Sequence, residues 1–246
     1  MTIRTRFVWA SLLFLSSVSG VAQTSSSAPF AIAAAQSAFS GSTPVHQVTM
    51  SGTVNWTAGS LEDSGPITLQ ASADGSWTVT MNLESGVRLE SQSSAGSSMT
   101  CQFQPNASTA AQVGRPDNCR RSLTWFIPPI SYQPSLKKGA LILQALGSAG
   151  APELKTQLAF VDISAAFANS TIDATTSNLT LDPNTLLPTT LSFNVFPDTG
   201  PSIPIPVRVE FSDYRLTSGA QIPYSIRRYL NGTLLADITI NSVSIQ

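Results

Sequence analysis

The sequence predicts an all-β protein: a curved antiparallel meander, a half-barrel, covered on its concave face by an N-terminal helix and a short tethered lid. Three observations point there. Runs of alternating apolar and polar residues recur along the 246-residue chain, separated by glycine-bearing turns. Charged residues make up only 11 %, against ~25 % in ordinary soluble domains, so Ser, Thr, Asn and Gln must furnish the wet surface. An alanine-rich stretch precedes the first alternating run.

Residues 1–22 read as a secretory signal. Arg4 and Arg6 precede a short apolar core, and Gly20 and Ala22 offer small residues before a cut at Gln23. That core is far shorter than the ~20 residues a membrane span needs. No cysteine lies near the cut, which argues against a lipid anchor. Residues 23–27 are expected to be a flexible start, and residues 28–246 a single β domain in the periplasm or outside the cell.

Residues 28–40, APFAIAAAQSAFS, form the best helix candidate, with proline near the start and Gly41 just beyond the end. The first strand should carry Val48, Met50, Val54 and Trp56, with Gly52 marking a bend or bulge. In the ribbon 73–103, ADGSWTVTMNLESGVRLESQSSAGSSMTCQF, Trp77, Val79, Met81 and Leu83 share one face. A three-residue loop ending at Gly75 would set Ala71 opposite Trp77, apolar against apolar. The same parity argument gives three-residue loops ending at Gly86, Gly96 and Gly232, all with positive φ. These would pair Leu83 with Val87, Met81 with Leu89, Leu89 with Cys101, and Tyr224 with Ile238. Val87, Leu89, Met99, Cys101 and Phe103 then join the apolar face, while Arg88 and Glu90 face water, as does Glu210.

Further strands are expected over 154–160, 189–196 and 207–211. Asp182-Pro183-Asn184 reads as a turn, and Ser218-Gly219 as a two-residue turn that sets Phe211 opposite Ile226. Arg227 should reach Asp237 diagonally across the last hairpin. The segment 118–130, NCRRSLTWFIPPI, should begin as a short helix capped by Asn118 and stopped by Pro128. The chain has two cysteines, Cys101 and Cys119. In an exported protein such a pair predicts a disulfide, which would pin Trp125, Phe126 and Ile130 over the apolar face as a lid.

Function classes narrow by exclusion. A formal net charge of −1 gives no footprint for nucleic acid or an anionic membrane. One histidine and two cysteines make no convincing metal set, and no cofactor motif occurs. His46, the single histidine, falls on the apolar parity at the start of the first strand and would have to serve any Ser-His-acid triad. No G-x-S-x-G elbow accompanies it, so a structural histidine is the plainer reading and no enzyme is expected. Arg120 and Arg121 could guide a headgroup to a cavity mouth, or be solvated charges at a helix start.

A curved sheet around a helical plug resembles the half-barrel of the LolA/LolB-like periplasmic carriers. The helix before the first strand matches. So does the C-terminal segment 211–243, FSDYRLTSGAQIPYSIRRYLNGTLLADITINSV, with its Y-x-x-x-x-G-x-x-x-P corner. FSDYR, IPY and DPNTLLP, residues 182–188, are similar to segments of exported bacterial proteins of that type. The resemblance spans most of residues 28–246. The chain lacks the lipid-modified cysteine of the LolB type, and no lipoprotein-handling residue aligns, so none is carried over.

Two readings of the apolar face stay open. On pattern alone it is a filled core, which would leave a surface or extracellular interaction module, carbohydrate-binding in one version. The resemblance implies instead a cavity for a lipid or lipoprotein acyl chain, lined by Trp77, Val79, Met81, Leu83, Leu89, Met99, Phe103, Trp125, Phe126 and Ile130.

Overall fold

The computed structural model describes residues 37–39, 45–73, 76–93, 100–104, 108–113, 141–146, 154–160, 177–197 and 203–246. Its strands are β1 (Gln47–Ala58), β2 (Leu61–Ser72), β3 (Trp77–Leu83), β4 (Gly86–Ser93), β5 (Thr100–Gln104), β6 (Gln112–Val113), β7 (Leu141–Leu146), β8 (Leu154–Phe160), β9 (Ser177–Leu181), β10 (Pro188–Val195), β11 (Ile205–Thr217), β12 (Ala220–Leu230) and β13 (Thr233–Ile245). All thirteen belong to one sheet, in the order β6-β5-β4-β3-β2-β1-β13-β12-β11-β10-β9-β8-β7. Every described pairing is antiparallel. Two meanders thus run outward from a central β1–β13 pair, and among the described residues β6 and β7 are the outermost strands of an unclosed sheet.

The sheet is curved, and one contact measures by how much. Arg228 on β12 and Glu90 on β4 lie five strand positions apart. In a flat sheet that is ~24 Å. Their charged groups nevertheless approach to 3.9 Å. The inner faces of β4 and β12 therefore meet across the concavity. Gly52 makes part of this bend, as its place in the sequence predicts. The β1–β13 register shifts between Ser51 and Gly52, with Asn241 as the extra residue on β13. The β13 backbone closes in so far that a Cβ on Gly52 would lie 1.9 Å from the Thr239 carbonyl oxygen.

The apolar face is inside. Val48, Met50, Leu69, Val79, Met81, Leu191, Val209, Ile226 and Ile238 are all fully buried on it. Of the expected helix over 28–40, only Ser37–Phe39 are described. They are helical, and Phe39 is buried in the core. The rest of that helix, the 118–130 lid with Arg120 and Arg121, and Cys119 with its expected disulfide lie outside the described residues. Strands β6, β7 and β9 were not anticipated. They are short, and β7 and β9 lie in a stretch with little alternation.

The turn expectations fare unevenly. The β2–β3 register is as predicted, with Ala71 opposite Trp77 and Ile67 opposite Met81. So is β11–β12, where Ser218 (φ 48°) and Gly219 (φ 84°) set Phe211 opposite Ile226. The β3–β4 loop is one residue shorter than expected. Leu83 pairs with Gly86, Met81 with Arg88 and Thr80 with Leu89. The cause is Asp63 on β2. Its carboxylate accepts the backbone N–H of Glu84 at 2.9 Å and of Ser85 at 3.2 Å, and the Ser85 hydroxyl as well. These bonds tie down a two-residue turn. Gly86 still takes a positive φ of 135°.

On the far side of β4, Cys101 lies opposite Gln92 and Leu89 opposite Gln104, leaving six residues between β4 and β5 instead of three. At the β12–β13 turn, Asn231 (φ 49°) and Gly232 (φ 81°) close a two-residue loop, with Leu230 opposite Thr233. A bulge near Arg228, with Leu235 as the extra residue, then brings Ile226 opposite Ile238, not Tyr224. Arg227 stands directly opposite Asp237, not diagonal to it, with Nε 3.3 Å from Oδ1.

Candidate functional site

The shorter β3–β4 turn changes which side chains of β4 face the interior. Directly paired residues share a face. Arg88 opposite Met81 and Glu90 opposite Val79 are therefore inside, and Leu89 is on the outer face. Val87 is correspondingly exposed, at 37 %. From the other wall, Arg228 shares the inner face of β12 with Ile226, opposite Ala236 and Val209. Three charged side chains thus sit within an apolar surface, each less than a quarter exposed.

Their geometry is that of a loose ionic cluster. Arg88 Nε is 3.5 Å from Glu90 Oε1. Arg228 reaches Glu90 Oε2 at 3.9 Å. The Arg88 guanidinium also lies over the Trp56 ring, 4.3 Å from its centroid, a cation–π contact at the floor of the concavity. Burial pulls Arg88 below the ordinary guanidinium value, and the Glu90 charge opposes that pull. Burial lowers Arg228 likewise, Glu90 opposes it, and the nearby Arg88 charge adds to the lowering. A guanidinium remains a cation under these pressures, so the cluster is equipped to hold charge and not to shuttle protons.

Next to it, Asn55, Trp56, Thr57, Glu62, Asp63, Ser64 and Glu84 line a polar cleft of about 310 Å³. Its most buried acid, Asp63, is occupied with the β3–β4 turn. Hydrogen bonds from Ser85, Ser64 and Glu84 hold its carboxyl below the usual range, against the opposing effect of burial.

Of the expected lining residues, Trp77, Val79 and Met81 are buried together on the inner face, and Leu83 packs half-buried beside them. Leu89 is not among them. Phe103 pairs with Glu90 in the backbone register. Met99, Trp125, Phe126 and Ile130 lie outside the described residues. His46 is exposed just ahead of β1, where its N–H donates to the Gln246 carbonyl at 2.7 Å. Among the described residues no group of His, Cys, Asp and Glu could hold a metal ion, and no helix is long and apolar enough to cross a membrane.

Sequence reasoning missed Arg88, Glu90 and Arg228 as an inner cluster. For Arg228 a signal existed: it shares parity with Ile226, which the Ser218-Gly219 turn sets opposite Phe211. For β4 the only signal was Asp63, whose bond to the turn joins residues 21 positions apart.

The segments behind the family resemblance are also joined. In DPNTLLP, Asp182 Oδ1 accepts the N–H groups of Asn184 at 2.9 Å and Thr185 at 2.8 Å, which forms the expected turn. In FSDYR, the Tyr214 hydroxyl donates to the Pro188 carbonyl at 2.8 Å. Burial pushes that phenol well above its ordinary value. Both motifs therefore lock β11 to the β9–β10 corner.

No family model matches the sequence, and no curated protein does. Solved structures do. A LolA superfamily protein from Nitrosomonas europaea superposes with a TM-score of 0.55 at 10 % identity, over 89 % of this chain and 94 % of its own. A domain from Vibrio parahaemolyticus named for outer membrane lipoprotein sorting gives 0.52 at 9 % identity, over 87 % and 91 %. A DUF1329 family protein from Desulfovibrio piger gives 0.53 at 7 % identity, over 89 % and 93 %. The chain has the LolA-like fold: an unclosed, curved antiparallel sheet with its apolar face inside.

Proposed function

We propose that this protein is an exported carrier that holds an apolar ligand, an acyl chain of a lipid or lipoprotein, against the inner face of its sheet. It would act as one β domain over residues 28–246, after removal of residues 1–22. The observation that supports this most is the continuous inner apolar face, from Trp77, Val79 and Met81 through Ile67 and Leu69 to Ile226 and Ile238, on a sheet that does not close. The fold likeness to a domain named for lipoprotein sorting supports the same reading. Each buried methylene is worth ~0.8 kcal/mol, so a long acyl chain gains on the order of 10 kcal/mol over water. A bilayer offers a similar gain, so a carrier needs only to match it. No bond is made or broken, and no enzyme activity is proposed.

A second reading, a surface or interaction module with a filled core, draws on one fact. Leu69, Val79 and Met81 are already shielded completely. In the carrier reading the acyl chain takes the place of whatever covers them. Uptake of a fluorescent fatty acid by the purified protein separates the two. Saturable uptake, reduced by Leu83→Lys at the half-buried edge of the face, supports the carrier. No uptake by wild-type protein supports the module.

A further inference from the structure

The two walls of the concavity meet at a charged contact, Arg228 on β12 with Glu90 on β4. We propose that this contact is a parting line, along which the β4 wall swings away from β12 to admit a ligand. The inference rests on the carrier reading for its purpose and adds the motion that loading requires.

An acyl chain cannot reach the inner face while the walls are together. Leu69 and Val79 on one wall, and Val209 and Ile226 on the other, are all fully shielded. Arg228 and Glu90 join those walls from strands five positions apart, with Nη1 3.9 Å from Oε2. The walls are anchored unequally. β12 stands between β11 and β13, each of 13 residues. β4 leads outward to described strands of only 5 and 2 residues. Segments with little pairing open at lower free energy than long core strands. The β4 side is therefore the one that moves.

The chemistry at the line suits repeated opening. Closing it strips water from two charges, a cost that can exceed their attraction, and opening returns that water. The two side chains keep 10 % and 13 % exposure, so water already reaches the pair. At 3.9 Å the contact is longer than the ~2.7–2.9 Å of a charge-assisted hydrogen bond, so little attraction is lost when it parts. An apolar contact at the same place would be strongest when closed and would expose its surface to water on opening. Glu90 is not stranded in the open state, because Arg88 on the same strand moves with it at 3.5 Å. Arg88 also lies over the Trp56 ring, 4.3 Å from its centroid, which tethers β4 to the floor while the far contact opens.

Hydrogen peroxide tests this without any ligand, because it converts a methionine that becomes exposed to its sulfoxide. Met81, on β3 opposite Arg88, and Met50, on the central strand β1, are both fully buried. Parting uncovers Met81 and spares Met50, so in wild-type protein Met81 should oxidise at least about five-fold faster, read by peptide mass spectrometry. Arg228→Leu turns the line into an apolar contact and should slow Met81 to within about two-fold of Met50. Arg228→Lys keeps the charge and should keep the wild-type ratio. Uptake of cis-parinaric acid, a fluorescent fatty acid, should slow in Arg228→Leu and not in Arg228→Lys. Equal oxidation of the two methionines in wild-type protein overturns the parting line and leaves the carrier standing if the probe is still taken up. A ratio that Arg228→Leu leaves unchanged also overturns it. If Arg228→Leu does not fold, the wild-type ratio decides. Selective oxidation of Met81 in a wild-type protein that takes up no probe overturns the carrier and leaves the parting line standing.

Discussion

The β3–β4 and β12–β13 hairpins begin alike and end differently. Both close with two-residue turns, Glu84-Ser85 and Asn231-Gly232, where alternation asks for three. In β12–β13 the missing residue returns a few positions later. The bulge at Leu235 puts Ile226 opposite Ile238, apolar to apolar. In β3–β4 nothing compensates, and Arg88 and Glu90 stay inside opposite Met81 and Val79. Alternation is thus a global requirement that a bulge can satisfy after the turn. Where it goes unsatisfied, the exception coincides with the ionic cluster.

Inserting one alanine between Ala236 and Asp237 is the harshest test of the β12–β13 hairpin. With the turn and the bulge at Leu235 unchanged, it would set Ile226 opposite Asp237, turning the apolar set of one strand outward. We expect no cooperatively folded protein, seen as loss of the thermal unfolding transition. In the β3–β4 hairpin, Glu90→Ala removes the carboxylate shared by Arg88 and Arg228. Taking one member out of a buried ionic cluster costs about 3–5 kcal/mol, measured by denaturant unfolding. The register itself is sharpened by a pair of truncations. Met81→Ala should cost about 2–5 kcal/mol, as for a core methionine. Leu89→Ala, on the outer face, should cost under about 1 kcal/mol. Equal costs would mean that β4 has the longer-loop register after all.

Asp63, which fixes the shorter turn, gives a weaker, pH-dependent signal. Its folded-state carboxyl is held below its ordinary value by the Ser85, Ser64 and Glu84 bonds. The stability it contributes is therefore present above the unfolded-state value of ~3.9 and is lost as pH falls through the lower, folded-state value. Asp63→Asn should lower the melting temperature near neutral pH, and its deficit relative to wild type should narrow below about pH 4. A small effect is also expected at Gly232. Its φ of 81° disfavours a side chain, but nothing lies within 4 Å of a Cβ there. Gly232→Ala should cost about 1 kcal/mol of backbone strain alone.

Much of the fold was legible in the sequence because alternation and turn chemistry are local. Val48 to Trp56, the 67–81 hairpin, the Gly52 bulge and the Ser218-Gly219 turn each follow from residues close together in the chain. Strands β6, β7 and β9 were not legible. They span only 2, 6 and 5 residues, too few for a pattern to stand out. At the candidate site, the apolar lining of β3 could be read directly. The polar part could not, because Asp63 sets the β4 register from another strand and sheet curvature alone brings Arg228 to Glu90. Parity reasoning also assumed that Arg88 and Glu90 belong in water, which holds for isolated charges and not for an ionic cluster.

Organic-solvent extraction of the purified protein, with mass spectrometry of what is released, tests the central claim most directly. The account predicts an acyl-bearing species in near-stoichiometric amount, or, if the protein purifies empty, stoichiometric loading after incubation with such a lipid. A protein that releases no lipid and takes none up would contradict it, and the filled-core module would stand in its place.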